Sequence, residues 1–280
     1  MPRIRVAHSP DSDDAFMFYA LATGKVDTGD RSYEHQLADI ETLNRRAIAG
    51  DLDVTAVSFH AYVHMADRYA LLAHGASVGD RYGPRLVARE PRPADPGAAL
   101  ASRVVGIPGE LTTACLALRL YRSGVRTKVL PFDAIEDAVL RGDVDVGLLI
   151  HEGQLTYADR GLVLWQDLGE WWAGRTGLPL PLGGNVVRRA LGPALAQGVA
   201  RDLKASIVWG LAHRGETLAH AMTFARGMDG ARTDRFVGMY VNDYTVDLGP
   251  TGRRAVQRLL DEGHSAGLLA SRVEAEFVAA

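Results

Sequence analysis

Residues 39–60 read Asp39-Ile40-Glu41-Thr42-Leu43-Asn44-Arg45-Arg46-Ala47-Ile48-Ala49-Gly50-Asp51-Leu52-Asp53-Val54-Thr55-Ala56-Val57-Ser58-Phe59-His60. Residues 133–151 repeat the plan: Asp133-Ala134-Ile135-Glu136-Asp137-Ala138-Val139-Leu140-Arg141-Gly142-Asp143-Val144-Asp145-Val146-Gly147-Leu148-Leu149-Ile150-His151. Each opens on an aspartate suited to capping a helix, runs through an amphipathic stretch, stops at a glycine and enters an apolar strand. The shared core is Gly-Asp-x-Asp-Val, and each strand leads to a histidine, His60 or His151. In open α/β sheets, ligands collect at the carboxyl ends of strands. Two such ends in two similar halves predict a cleft between two lobes, faced by His151 and the Ser58–His60 segment.

Outward from the repeat, strands and helices alternate. Ile4–His8 and Ser32–Leu37 read as strands around a helix over 15–22. Tyr69–His74 and Pro84–Ala88 read as further strands, and Arg89-Glu90-Pro91-Arg92-Pro93-Ala94-Asp95-Pro96-Gly97 as a linker or lobe boundary. Val104–Ile107 and Lys128–Pro131 flank a helix over 111–121, and the Pro/Gly-rich 178–184 returns the chain to the first lobe. Helices are expected over 192–212, 214–228 and 251–262. The first lobe is therefore expected to be discontinuous, residues 1–89 plus 184–280, with 90–183 inserted as the second. Two chain crossings permit hinge closure.

A chain of 280 residues with 47% hydrophobic and 23% charged residues has ordinary globular composition. A net charge of −3 offers no basic face for nucleic acid. No run is long and apolar enough to span a bilayer. The chain opens on Met1-Pro2-Arg3-Ile4-Arg5-Val6 with no apolar signal segment, so a cytoplasmic location is expected. The single cysteine, Cys115, lies among Ala114, Leu116 and Ala117 and reads as a buried helical thiol. Trp171 and Trp172 read as lobe core or, alternatively, as an aromatic wall for a ring.

Three segments could carry chemistry. Pro108-Gly109-Glu110-Leu111-Thr112-Thr113-Ala114 turns from a strand into a helix start, where unpaired N–H groups and two hydroxyls suit a carboxylate or phosphate. Ordinary capping by Thr112 explains the same residues. Ser9-Pro10-Asp11-Ser12-Asp13-Asp14 holds three aspartates without the spacing of a calcium loop. Asp13 and Asp14 suit a helix N-terminus, and Asp14 could orient a ligand hydroxyl. His151, after an apolar strand, is either a hydrogen-bonded structural histidine or a proton-transfer group with a reference pKa of roughly 6.5. The residues alone favour the structural reading. His60 and His64 have helical metal-pair spacing but no third ligand, so no metal is expected. No nucleotide-binding motif occurs, and no cofactor is expected.

Four segments carry a resemblance: 149–157, 177–185, Pro108–Ala114 and 43–47. Through them the chain resembles the 1,4-dihydroxy-6-naphthoate synthases of the futalosine route to menaquinone. Their opening loop is typically Ser-Pro-Cys-Pro-Asn-Asp-Thr-Phe. Here Ser9, Pro10, Asp14 and Phe16 match it, whereas Asp11, Ser12, Asp13 and Ala15 depart, marking a divergent branch. The resemblance implies a two-lobe α/β fold similar to periplasmic binding proteins of type II, with the ligand between the lobes. It implies a lyase that fragments cyclic dehypoxanthine futalosine to 1,4-dihydroxy-6-naphthoate without metal or redox cofactor. It makes His151 the general base, and gives ligand contacts to Ala56, Val57, Ser58, Thr112 and Thr113, with Ser9, Asp14 and Asn185 in the same matched segments. The expected partner is a small carboxylate, not nucleic acid or membrane. A chorismate dehydratase of the same pathway and a non-catalytic solute-binding protein are the alternatives. The Ile150-His151-Glu152-Gly153 run favours the synthase over the dehydratase.

Overall fold

The structure, a computed structural model, describes residues 3–225 and 227–280. Twelve strands form among them: β1 Arg3–His8, β2 Ser32–Leu37, β3 Val54–Ser58, β4 Tyr69–Leu72, β5 Ser77–Gly79, β6 Arg85–Ala88, β7 Val104–Ile107, β8 Arg126–Val129, β9 Val146–Leu149, β10 Val163–Asp167, β11 Leu180–Arg188 and β12 Phe277–Val278. They make a seven-stranded sheet ordered β12-β4-β11-β3-β1-β2, with β5 beside β11, and a five-stranded sheet ordered β10-β6-β9-β7-β8.

The repeated unit holds the same place in each sheet. β3 lies parallel to β1 and antiparallel to β11, and β9 lies parallel to β7 and antiparallel to β6. All residues of β3 and β9 are buried, as expected of interior strands covered on both faces. β2 is an edge strand and keeps the polar sequence Ser-Tyr-Glu-His-Gln-Leu. The helix before β3, Ile40–Ala49, starts as expected, with Asp39 accepting from the Thr42 N–H, and ends at Gly50 with φ 77°. The helix before β9, Ile135–Arg141, ends likewise at Gly142 with φ 82°. Asp133, however, is not its cap. It falls inside a 3-10 turn, Phe132–Ala134, and the helix starts from Ala134 without a side-chain cap.

Two expectations are corrected here. β6 pairs with β9 and β10 in the smaller sheet, so the second lobe begins before residue 90, and the chain crosses between Gly79 and Arg85. The proline-rich stretch 89–97 lies inside that lobe. Its prolines mark a loop, and a loop within a lobe has the same composition as one between lobes. The return crossing, between the helix Leu168–Thr176 and β11, likewise precedes residue 184. The second correction lies near the C-terminus. The helix expected over 214–228 stops at Ala221, and a further helix, Gly230–Tyr240, follows with its own cap, Asp229 accepting from the Arg232 N–H.

One apolar cluster runs through both sheets, from Val57, Phe59 and Val186 through Ile107, Leu116 and Leu148 to Trp165 and Trp172. Each such side chain contributes about 1.5–3 kcal/mol on burial. This shared core ties the sheets behind the cavity. Trp172 is fully buried in it and donates to the Pro179 carbonyl at 3.1 Å, so Trp171 and Trp172 belong to the core and not to a cavity wall. Among the described residues, no helix is long and apolar enough to cross a membrane.

Candidate active site

The carboxyl ends of β1, β3, β7 and β9 meet at an open cleft whose empty space, solvent at its mouth included, is about 700 Å³. Ser9, Asp11, Asp13 and Asp14 line it after β1, and Ala56, Val57 and Ser58 line it from β3. Thr112, Thr113 and Ala114 line it after β7, and Ile150 and His151 after β9. Among the described residues, no lysine or arginine contributes to its wall.

His151 ends the β9 segment in the left-handed region, with φ 54°. A non-glycine residue there is uncommon, and such positions persist where surrounding contacts hold them. The turn sets its Nδ1 3.0 Å from Oδ2 of Asp11, a residue of the other sheet's loop. The Phe132 ring packs edge-to-face with the imidazole, ring centroids 4.8 Å apart, and among the described residues Nε2 has no hydrogen-bond partner. Burial opposes charge on His151, yet Asp11 in direct contact, with Glu152 and Asp14 beyond, holds its pKa above the ordinary value.

The acidic loop divides its charge. Burial would raise Asp11, but His151 and the Ser9 side chain hold it well below the usual carboxylate range. Burial and the Asp11 charge push Asp14 up to about 8, against an opposing hydrogen bond from the Ser9 N–H at 2.7 Å. Burial, then Asp11 and Asp14, push Asp13 well above the ordinary value. Asp11 is thus the ionised member of the three near neutral pH. Asp11, Asp13 and His151 also present ligand atoms within 4.8 Å of one another, the one set among the described residues that could hold a metal ion.

Ser58 is locked by Asn44. The Ser58 N–H donates to Asn44 Oδ1 at 2.8 Å, and Asn44 Nδ2 donates to Ser58 Oγ at 3.1 Å. That leaves the serine hydroxyl proton to donate into the cavity. On the opposite wall the Thr112 hydroxyl is committed to the helix. It accepts from the Cys115 N–H at 3.2 Å and donates to the Gly109 carbonyl at 2.8 Å. The capping reading is right for that hydroxyl. Thr113 Oγ1 accepts from the His60 N–H at 3.2 Å and keeps its own proton to donate. The first N–H groups of the helix Thr113–Tyr121 have no acceptor within the helix.

The fold and this cleft frame the comparisons. A family model described as menaquinone biosynthesis matches residues 4–265. The 1,4-dihydroxy-6-naphthoate synthase of Thermus thermophilus is 40% identical over 99% of this chain and 100% of its own length. That of Streptomyces coelicolor is 38% identical over 95% of this chain and 94% of its own. The chain belongs to this family. Among solved structures, protein AF1704 of Archaeoglobus fulgidus is 45% identical with a TM-score of 0.90, covering 95% of this chain and 98% of that one. The alkanesulfonate-binding protein SsuA of Xanthomonas axonopodis pv. citri, bound to MOPS, is 14% identical with a TM-score of 0.70, covering 98% and 96%. That likeness shows the fold: two α/β lobes of the periplasmic-binding-protein kind.

Of the residues that the family resemblance pointed to, Ser9, Asp14, Ala56, Val57, Ser58, Thr112, Thr113 and His151 come together around the cavity. Asn185 does not. It is buried behind the wall, where its Nδ2 donates to the Gly75 carbonyl at 2.8 Å. Gly75, with φ 77°, lines the cavity in its place, and a Cβ there would lie 2.6 Å from Asn185 Nδ2. His60 turns away, its Nδ1 3.1 Å from the Thr112 carbonyl, and burial pushes its pKa down to about 4.

Several wall residues escaped the sequence reading. Phe236 and Tyr240 come from the unforeseen helix, and the Tyr240 hydroxyl donates to Gln154 Oε1 at 2.6 Å. Gln154 lay within the segment of resemblance and Asn44 within another, but side-chain identity alone did not mark them. Asp11 was visible only as one of three aspartates. The buried thiol of Cys115 behaves as expected, with burial pushing its pKa up to about 11.

Proposed function

We propose that the protein catalyses the 1,4-dihydroxy-6-naphthoate synthase reaction, fragmenting cyclic dehypoxanthine futalosine in the cytoplasm with His151 as general base. The observation that carries this reading is a strand-end imidazole with Nδ1 engaged and Nε2 unpartnered among the described residues, lining a cleft in a member of this family. A general base must reach its proton within hydrogen-bond distance. Nε2 takes the proton of a substrate hydroxyl. The adjacent carbon–carbon bond then breaks in a retro-aldol sense, and its electrons pass into the ring system, which becomes aromatic. The imidazolium returns the proton to the products. Two lobes hold the reacting geometry, which converts binding energy into rate.

The acidic loop and the threonine helix start suit the two ends of such a substrate. The carboxylate lies at Thr113 and the first N–H groups of its helix, away from Asp11. The hydroxylated remnant lies toward Ser58 and Asp14.

The test is incubation of the purified protein with cyclic dehypoxanthine futalosine, and separately with chorismate, followed by mass spectrometry. Release of 1,4-dihydroxy-6-naphthoate is expected. Dehydration of chorismate instead would overturn the assignment. The pH profile adds a second check. His151 must be neutral to accept a proton, and its pKa is raised, so kcat/KM rises with pH through a midpoint above about 6.5.

A further inference from the structure

We infer that Asp11 is the positioning residue of His151, reaching across from the loop of the other sheet to select the tautomer whose Nε2 faces the substrate. This rests on His151 being the base, as proposed above, and goes beyond the family pattern, which has cysteine where this chain has Asp11.

The geometry is specific. Asp11 occupies the N-cap position of the helix Ser12–Ala22, where an aspartate ordinarily accepts from a first-turn N–H. It makes no such bond. Its carboxylate turns instead to His151 Nδ1 at 3.0 Å. Asp11 is 2% exposed, so water does not compete for that contact. On the other side of the pair, His151 adopts φ 54°, a conformation that a contact of this kind holds in place.

Neutral imidazole has two tautomers, and the partner of one nitrogen decides the state of the other. A carboxylate accepts from Nδ1–H and leaves the Nε2 lone pair free. Among the described residues, no other group bonds Nε2. The groups facing the ring are Asp11 and Asp14 from the first-sheet loop, with Asp13 behind them, Glu152 from its own segment, and the uncharged edge of Phe132.

Asp13 completes the arrangement. Its Oδ2 accepts from the Ser77 hydroxyl at 3.3 Å, and the ligand atoms of Asp13, Asp11 and His151 lie within 4.8 Å of one another. Burial and the Asp11 charge favour the protonated form of Asp13, while Asp11 stays ionised beside the imidazole. The Asp11–His151 contact itself crosses from one sheet to the other.

The experiment uses the full-length protein and two variants, Asp11→Asn and Asp13→Asn, each checked for unchanged circular dichroism. Proteins labelled with 15N-histidine report the tautomer and titration of His151, assigned by the signal lost in His151→Gln. In the unsubstituted protein, neutral His151 is expected as the Nδ1–H tautomer, with a midpoint above the ordinary value. In Asp11→Asn the midpoint falls, because burial is no longer opposed by the carboxylate, and the Nε2–H tautomer appears. With cyclic dehypoxanthine futalosine, kcat falls on the order of 10–10²-fold, KM stays within about threefold, and the acid limb moves to lower pH. A merely structural Asp11 would move none of the last three in that combination.

An unchanged tautomer and midpoint in Asp11→Asn would overturn the inference. So would stoichiometric zinc or manganese in the purified protein that both variants lose, since Asp11 and Asp13 would then be metal ligands. If the substrate is not turned over at all but the tautomer result holds, the reaction assignment fails and the positioning stands.

Discussion

The two repeated units, 39–60 and 133–151, fold alike up to their last residues and then part. Each helix ends at a left-handed glycine, Gly50 or Gly142, and each strand is buried in the interior of its sheet. After β3 the chain runs directly into the helix Phe59–Tyr62, and His60 is carried away from the cleft onto the Thr112 carbonyl. After β9 it makes a left-handed turn at His151, which lands on Asp11. Two histidines that read alike in sequence therefore differ in charge preference. Burial, opposed only by the Thr112 carbonyl and a more distant Glu110, pushes His60 down to about 4, whereas Asp11 in direct contact lifts His151. A repeated unit specifies a scaffold, and the residue that follows its strand specifies the chemistry.

The comparison breaks first at the two histidines. His151→Ala should lower kcat on the order of 10²–10⁴-fold while the protein remains folded, and His60→Ala should leave kcat within about tenfold. Steady-state assays of the two variants side by side check this. Equal losses would mean that the units are functionally equivalent.

The next largest effect is expected at Asn44, which holds Ser58 from two sides and has no counterpart in the second unit. Asn44→Ala leaves the buried Ser58 N–H unsatisfied, at a cost of about 1–3 kcal/mol. Urea unfolding would read that loss. A tenfold fall in kcat/KM should accompany it, because the serine hydroxyl loses its orientation.

His60 and His151 should also imprint opposite slopes on stability against pH. His60 has a folded pKa below its unfolded value, so the unfolded chain takes up its proton first. Its contribution is present above about 6.5 and is lost as pH falls toward 4. His151 has a raised folded pKa, so its contribution is present below about 6.5 and is lost as pH rises through that raised value. Thermal unfolding at a series of pH values should show His60→Gln flattening the acid decline and His151→Gln flattening the decline on the alkaline side.

The smallest effects test where the units are the same. Gly50→Ala and Gly142→Ala each force a left-handed L-residue and should cost about 1–2 kcal/mol apiece. In both, the added Cβ meets only the end of a flexible arginine, Arg68 at 3.3 Å or Arg89 at 3.1 Å. Costs differing by more than about 1 kcal/mol would show that the units diverge before their strands.

The chain by itself determined the parts governed by local periodicity and turn chemistry. The glycine stops, the apolar interior strands, the Val104–Ile107 strand and the strand-end placing of Ser58, Thr113 and His151 follow from residues within one helix turn or one strand of each other. The family segments added the reaction. Only the tertiary structure decided what depends on distant partners. β6 reads like any short apolar strand, and only its pairing with residues some sixty to eighty positions later assigns it to the smaller sheet. Asn185 matched a family segment, but the backbone path puts Gly75 between it and the cavity. The Asp11–His151 contact joins two loops from different sheets. A carboxylate's proton affinity and an imidazole's tautomer are set by what lies within about 4–6 Å in space, whatever the separation along the chain.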